Sequence, residues 1–435
     1  MSVFTSRRSL LLGVPATLAA AGLGHYARPL YANPNHAPHR FISLYFNGAW
    51  DVLIGLDPRD PSSNPSGIDL GYNRLAPEFR EPTPWTFGGQ ETLVGPTMDD
   101  LFDHRDVMTI FRGVNMNTVA HPTGRAYVNT FIPPAGVVPK GDSLATRMAA
   151  GANYDDFLLP NVSIGVPSFN LSFAPAVTGI GMGRATDATN LVEPLGDTLD
   201  TETAALLRAA REASGSCVGA GYSDPPSARV DIARDRVEAL LGMDLGPAFD
   251  FSADEDLQAR YSIENANASA EPGVIAATIW RLMDLGLTTS VTAQFQRSLD
   301  THDVRWEVDQ PELQRQAFRA LAALLADLRS TDPSLANTTV IVHSEFARTP
   351  NINGRGGRDH WFANSLLVFG GGLRPGVFGA TLPETLGLTA VDLDTGLPSE
   401  SGEVIRPEHV GATLAHARGL ETDEFRVEPL TNWIA

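Results

Sequence analysis

The sequence predicts an α/β protein built on a mostly parallel sheet, and three observations predict it. Short β-rich runs recur along the chain, each ending in a cluster of polar residues. An amphipathic helical stretch separates two of these runs, and strand, helix, strand is the connection that parallel strands require. Acids and histidines gather just past the runs, where open parallel sheets place their ligands. With 43% hydrophobic residues among 435, the chain can fill a large core, as one elaborated domain or as two.

Taken in order, the chain opens on an export leader. Thr5-Ser6-Arg7-Arg8-Ser9 precedes an apolar run to Leu23, and Leu30-Tyr31-Ala32 supplies a small-residue ending. Adjacent arginines before a leucine run indicate the twin-arginine route, with the translocase as partner during export and cleavage near Ala32. Pro15 and the Ala/Gly content of the run argue against a membrane anchor. The expected destination is the periplasm or the exterior, in a mature chain that is not membrane-bound. The leader carries three of the 32 basic residues and none of the 51 acidic ones, so its loss moves the net charge from −19 to −22. Such a charge excludes nucleic acid as a partner. Cys217 is the single cysteine, which excludes an internal disulfide and a thiolate metal site.

The first run, Arg40 to Phe46, reads as a strand and leads to Asp51. The second, Val107 to Phe111, leads to His121-Pro122-Thr123-Gly124-Arg125, expected as a loop. Between Lys140 and Pro272 the composition shifts to Ser, Ala and Asp, with helical stretches at Thr201 to Ala213 and Ser227 to Leu241, and this segment is expected to be an insertion or cap. A helix over Val274 to Leu287 precedes the third run, Thr288 to Phe295, which leads to Asp300-Thr301-His302. Leu313, Ala317, Leu321, Leu324 and Leu328 then mark a helix over Pro311 to Arg329. The fourth run, Thr338 to His343, leads to Ser344-Glu345-Phe346-Ala347-Arg348-Thr349, and the strand Asn364 to Gly372 follows a glycine-rich loop that ends in Arg358-Asp359-His360.

Asp300 and His302 stand two apart, so an extended backbone points both to one side, where they can share an ion. A solvated turn capped by Asp300 is the alternative. Thr123 suits a nucleophile activated by a metal or base, and Arg125 an oxyanion holder, with helix capping the alternative for Thr123. Arg355 and Arg358 bring positive charge that fits an anionic substrate group or surface ion pairs. Asp51, by itself, fits a turn residue as well as a ligand.

Together, Asp51, His121, Asp300-Thr301-His302, Ser344 to Thr349 and Gly357-Arg358-Asp359-His360 resemble the domain-of-unknown-function 1501 family, which looks like a branch of the alkaline phosphatase and sulfatase superfamily. The resemblance runs from the leader to about Gly379. It implies a doubly wound sheet, alkaline-phosphatase-like, in a single domain from residue 33 onward with the insertion at about 140–272. It also implies a crevice holding one or two divalent ions, Zn, Mn, Mg or Ca, with Asp51, Asp300, His302, Glu345 and His360 as ligands and Asp359 as ligand or supporting partner. Ala347 stands where the family has glycine, and Arg358 where it has threonine. Thr123 and Arg125 stand where an acid and an amide are usual.

The expected function is hydrolysis of a phosphate or sulfate ester, on a small molecule or a glycan. Water or Thr123 is the nucleophile, with His121, Thr123 and Arg125 in the catalytic set and Arg348 and Arg358 holding the anion. The alternative is a non-catalytic exported binding or assembly protein that keeps the fold.

Overall fold

The computed structural model describes residues 39–63, 67–152, 154–183, 187 and 245–435. The leader, Cys217 and the helical stretches expected at 201–213 and 227–241 lie outside these residues.

Arg40–Phe46 forms β1, buried along its whole length. Its alternation sends Ile42, Leu44 and Phe46 into one apolar core and Phe41 and Tyr45 into another, the pattern of a strand covered on both faces. Thr83–Phe87 (β2) and Gln90–Val94 (β3) make a separate antiparallel hairpin. The main sheet takes Met108–Asn115 (β4), Asn161–Ile164 (β5), Ile180–Met182 (β6), Ser290–Gln296 (β7) and Thr338–Ser344 (β8). Ala347–Arg348 (β9) and His360–Trp361 (β10) form a two-stranded ribbon. Ala363–Gly370 (β11) and Gly376–Gly379 (β12) complete the main sheet.

The strand order is β12-β4-β11-β8-β1-β7-β5-β6. Every pairing is parallel except those of β11 with β4 and β8. The fold is thus a mixed, mostly parallel eight-stranded sheet flanked by helices. In register, Tyr45 of β1 sits between Gln294 of β7 and His343 of β8.

One face is covered by His121–Thr130 (α1), Leu144–Gly151 (α2) and, after two long helices among the described residues, Pro407–His416 at the C-terminal side. The other face carries those two helices, Pro272–Asp284 (α3) and Trp306–Thr331 (α4). The C-terminal helix is α5.

Three expectations need correction. His121 to Arg125 is not a loop but the first turn of α1, with Pro122 in the opening positions where its fixed φ suits a helix. The described part of the expected cap does not stand apart, since β5 and β6 extend the main sheet and α2 packs on β7 and β1. These strands of four and three residues include Asn161, Ser163 and Gly181, so no β-branched run announced them. The helix expected to start at Pro311 begins at Trp306 and keeps Pro311 inside. Tertiary bonds hold the added turn: Gln310 donates to the carbonyls of Ala49 and Leu299, at 3.1 and 2.6 Å.

Candidate metal centre

Because β1, β4, β7 and β8 run parallel, their carboxyl ends share one edge. Beyond β1, Gly48 adopts φ +112°, and a Cβ there would lie 2.6 Å from the Asp300 nitrogen, so only glycine lets this loop press against the one after β7. Ala49 follows at φ +66°, an uncommon conformation for a side-chain-bearing residue, pinned through its carbonyl by Gln310 and Arg348. The reversed strand β11 starts at this same edge, so the ribbon just before it brings His360 there.

Four side chains converge. His121 Nε2 lies 3.1 Å from His360 Nε2, which lies 3.0 Å from His302 Nε2. Asp300 Oδ1 is 2.9 Å from His302 Nε2 and 3.4 Å from the Nε2 atoms of both His121 and His360. The other ring nitrogens are held from behind. His121 Nδ1 meets Glu345 Oε1 at 2.6 Å, His302 Nδ1 meets Asp359 Oδ1 at 2.7 Å, and His360 Nδ1 meets the Val119 carbonyl at 2.8 Å.

These partners assign the tautomers, since a carbonyl or carboxylate takes the proton of Nδ1 and leaves a lone pair on Nε2. Burial raises the Asp300 carboxyl, but the hydrogen bond and charge of Arg348 prevail and hold it at about 2. Glu345 is likewise depressed: its burial is outweighed by the hydrogen bond from His121. The hydrogen bond from His302 lowers Asp359. Burial, with Arg348 and His121 nearby, lowers His360 against the opposing hydrogen bond to the Val119 carbonyl. Three imidazole Nε2 atoms and the Asp300 carboxylate thus gather, with His121 and His302 each joined to His360 and Asp300.

That donor set fits a divalent cation. Zn–N bonds of 2.0–2.1 Å would place adjacent tetrahedral donors roughly 3.3 Å apart, close to the 3.1 and 3.4 Å contacts that join His121, His360 and Asp300, a set of three that leaves a fourth position open. His121, Asp300 and His360 each place a ligand atom within 4.8 Å of the other two. The carboxylate behind His121 and the one behind His302 match the outer partners that orient metal-bound imidazoles.

Glu345 and Asp359 thus face the backs of imidazoles. Asp51 is in a different place from the other acids expected as ligands. Fully buried, it pairs with Arg358 Nε at 2.9 Å, accepts from Trp306 Nε1 at 2.8 Å and caps the Leu53 nitrogen at 3.0 Å. The two arginines expected to hold a substrate anion are both wholly buried in the fold. Arg348 donates to the carbonyls of Gly48, Ala49, Leu299 and Arg358 and to Asp300 Oδ1, tying the loops after β1 and β7 to the ribbon. Arg358 donates to the carbonyls of Thr349, Asp69 and Leu70 and lies 4.7 Å over the Trp306 ring. Neither presents a free edge to solvent. Thr123 is half-buried in the first turn of α1, and Arg125 reaches Asn47 Oδ1 with Nη2 at 3.4 Å.

Three contributors escaped the sequence reading. Val119 supplies a backbone carbonyl, which no residue type advertises. Asn353 donates to Asp359 Oδ1 at 3.0 Å and to the His302 carbonyl at 3.1 Å, and its setting before Gly354 read only as a turn. Gly124 lies against Glu345, where an added Cβ would be 2.6 Å from the carbonyl oxygen.

A family profile described as "Protein of unknown function (DUF1501)" matches residues 38–398. The chain is a DUF1501 protein. A comparison of this DUF1501 chain with curated proteins returns no match. Among solved structures, it is similar to a lipoteichoic acid synthase from Listeria monocytogenes, with 10% identity, 96% of this chain and 83% of that chain covered, and a TM-score of 0.36. It is also similar to a phosphonate monoester hydrolase of Agrobacterium radiobacter, with 13% identity, 91% and 77% covered, and a TM-score of 0.31. A sulfatase from a Pseudoalteromonas species gives 10% identity, 92% and 70% covered, and a TM-score of 0.29. At TM-scores below 0.5, these likenesses assign no activity to the DUF1501 chain. Among the described residues, no helix is long and apolar enough to cross a membrane.

Proposed function

We propose that this DUF1501 protein is an exported hydrolase that uses a divalent metal to cleave phosphate or sulfate esters. The observation that carries the reading is the convergence of His121, Asp300, His302 and His360 at an open crevice. Their side chains keep 23–48% of their surface exposed, whereas structural metal sites are closed and catalytic ones keep an accessible position. A cation held there supplies Lewis acidity and makes water a competent nucleophile at neutral pH.

The protein's own groups do the rest. Glu345, Asp359 and Val119 hold the three rings in one tautomer and orientation. Arg348 fixes Asp300 in its ionised form. The N-terminus of α1 opens at His121 with no side-chain cap, so its partial positive charge favours an anionic ester beside the cluster. Thr123, one turn into that helix, is the side-chain nucleophile available if water is not used. The twin-arginine leader fits this chemistry, since it would carry the folded protein through its translocase to the periplasm or exterior.

The burial of Arg348 and Arg358 favours a second reading, a binding protein that retains the metal crevice without turnover. Metal analysis of the mature protein, followed by assay against phosphate and sulfate monoesters, separates the two. Hydrolysis by wild type, lost along with the metal in Asp300→Ala/His302→Ala, supports the hydrolase. A metal-bearing protein inert to the whole panel supports the binding protein, and a folded protein that takes up no metal defeats both.

A further inference from the structure

One flank of the crevice carries two arginines that bond neutral side chains and make no ion pair among the described residues. Arg125 follows His121 by four residues on α1, so the two side chains leave the same face, about 6 Å apart at Cβ. Its guanidinium carbon lies 5.9 Å from the Tyr45 ring centroid, and its Nε is buried with no hydrogen-bond partner. Tyr45 pairs in register with Gln294, so both side chains stand on the α1 face of the sheet. With the Gln294 amide oriented by its neighbours, its oxygen accepts from Arg297 Nε at 2.8 Å and its nitrogen donates to the Gly165 carbonyl at 3.3 Å. Gly165 follows β5 directly, and two residues on the Pro167 carbonyl accepts from Asn129 of α1 at 2.7 Å, which ties this loop to the helix.

Arg125 and Arg297 are both half-buried, and neither has a carboxylate partner among the described residues. Arg125 lies against the Tyr45 ring and Arg297 holds the Gln294 amide, so two guanidinium groups without an ion-pair carboxylate stand beside one Tyr45–Gln294 pair in a chain of net charge −19. We propose that Arg125 and Arg297 form an anion subsite beside the histidine cluster, taking an oxyanion group of the substrate other than the one being cleaved. This rests on the ester-hydrolase reading and narrows its substrate class to esters that carry a second anionic group, spaced about one helical turn from the scissile one. Tyr45 and Asn47 position Arg125 for it, the first through its ring and the second as acceptor from Nη2 at 3.4 Å.

Inorganic sulfate is the probe, titrated calorimetrically at low ionic strength into wild type, His360→Ala and the Arg125→Gln/Arg297→Gln double variant, with metal content measured on each. The subsite predicts that His360→Ala still binds sulfate, while the double variant, unfolding at the wild-type midpoint, binds it about tenfold or more weakly. Arg297→Gln alone, further from the core, replaces the double variant should that one fail to fold. Unchanged sulfate affinity in a folded glutamine variant overturns the proposal, as does wild type that binds no sulfate at millimolar concentration. Loss of sulfate binding in His360→Ala also overturns it, by placing the anion on the cluster. The metal content of wild type reports separately on the hydrolase reading.

Discussion

Glu345 gives no oxygen to the cluster, yet it aims one of the three imidazoles. Replacing it by Gln keeps the shape and removes the charge that fixes His121. Outer partners of this kind contribute about 10–100-fold in metal affinity, so Glu345→Gln should weaken binding by that range in a chelator competition. Equal affinity would refute the positioning role. Gly124→Ala acts on the same contact from the other side: a methyl 2.6 Å from the Glu345 carbonyl oxygen must push α1 away. Overpacking of this kind costs about 1–3 kcal/mol, and denaturant titration should show it together with weaker metal binding. Asp300, His302 and His360 were legible because each lies directly beyond a strand or loop that the pattern places at the sheet edge. Arg348 and Arg358 were not, since a guanidinium that ends on carbonyl oxygens looks, in sequence, like one that ends on a substrate. Asp51 misled for the same reason, because its partner Arg358 lies over three hundred residues away.

The added first turn of α4 does more for the site than its leucine stripe. Trp306 and Gln310 in that turn, and Gln314 in the next, hold Asp51 and the loop after β1. Asp51→Asn would leave Arg358 buried without its counter-charge, a loss of about 3–5 kcal/mol when one partner of a buried pair is removed. The unfolding free energy should fall by that amount in urea, and a loss below 1 kcal/mol would mean that solvent reaches the pair. This turn escaped the periodicity because Pro311 mimics a helix start and Glu307, Asp309 and Gln310 break up the apolar residues before it. The four main runs, in contrast, were read to within a few residues, since fully buried strands must be β-branched and aromatic. What β5 and β6 lacked was length, not position. α1 was hidden by its own glycine, which suits a turn but here serves close packing on Glu345.

Across the whole molecule, acid should be the weak point, and before the carboxylates titrate. Burial lowers His343 to about 3 and His409 to about 4, and it depresses His39 and His104 as well. In the unfolded chain these groups bind protons from about pH 6.5 downward; in the fold they do not until far lower. Stability is then present in full above pH 6.5 and lost as pH falls toward the folded values. His343, wholly buried, should account for about 2 kcal/mol between pH 6.5 and 5. Unfolding midpoints of wild type should fall over that interval, and His343→Gln should fall less steeply; parallel slopes would show that His343 is not held neutral.

The reversed strand gives the site a property of another kind. His360 can join His121 only after β11 has slid between β4 and β8, against the direction of both. A growing chain that has yet to emit His360 holds three of the four side chains and no finished pocket. Any ion gripped by His121, Asp300 and His360 together would therefore mark a polypeptide whose distant segments have met, and a truncated or misthreaded copy would be recognisable by its empty hands.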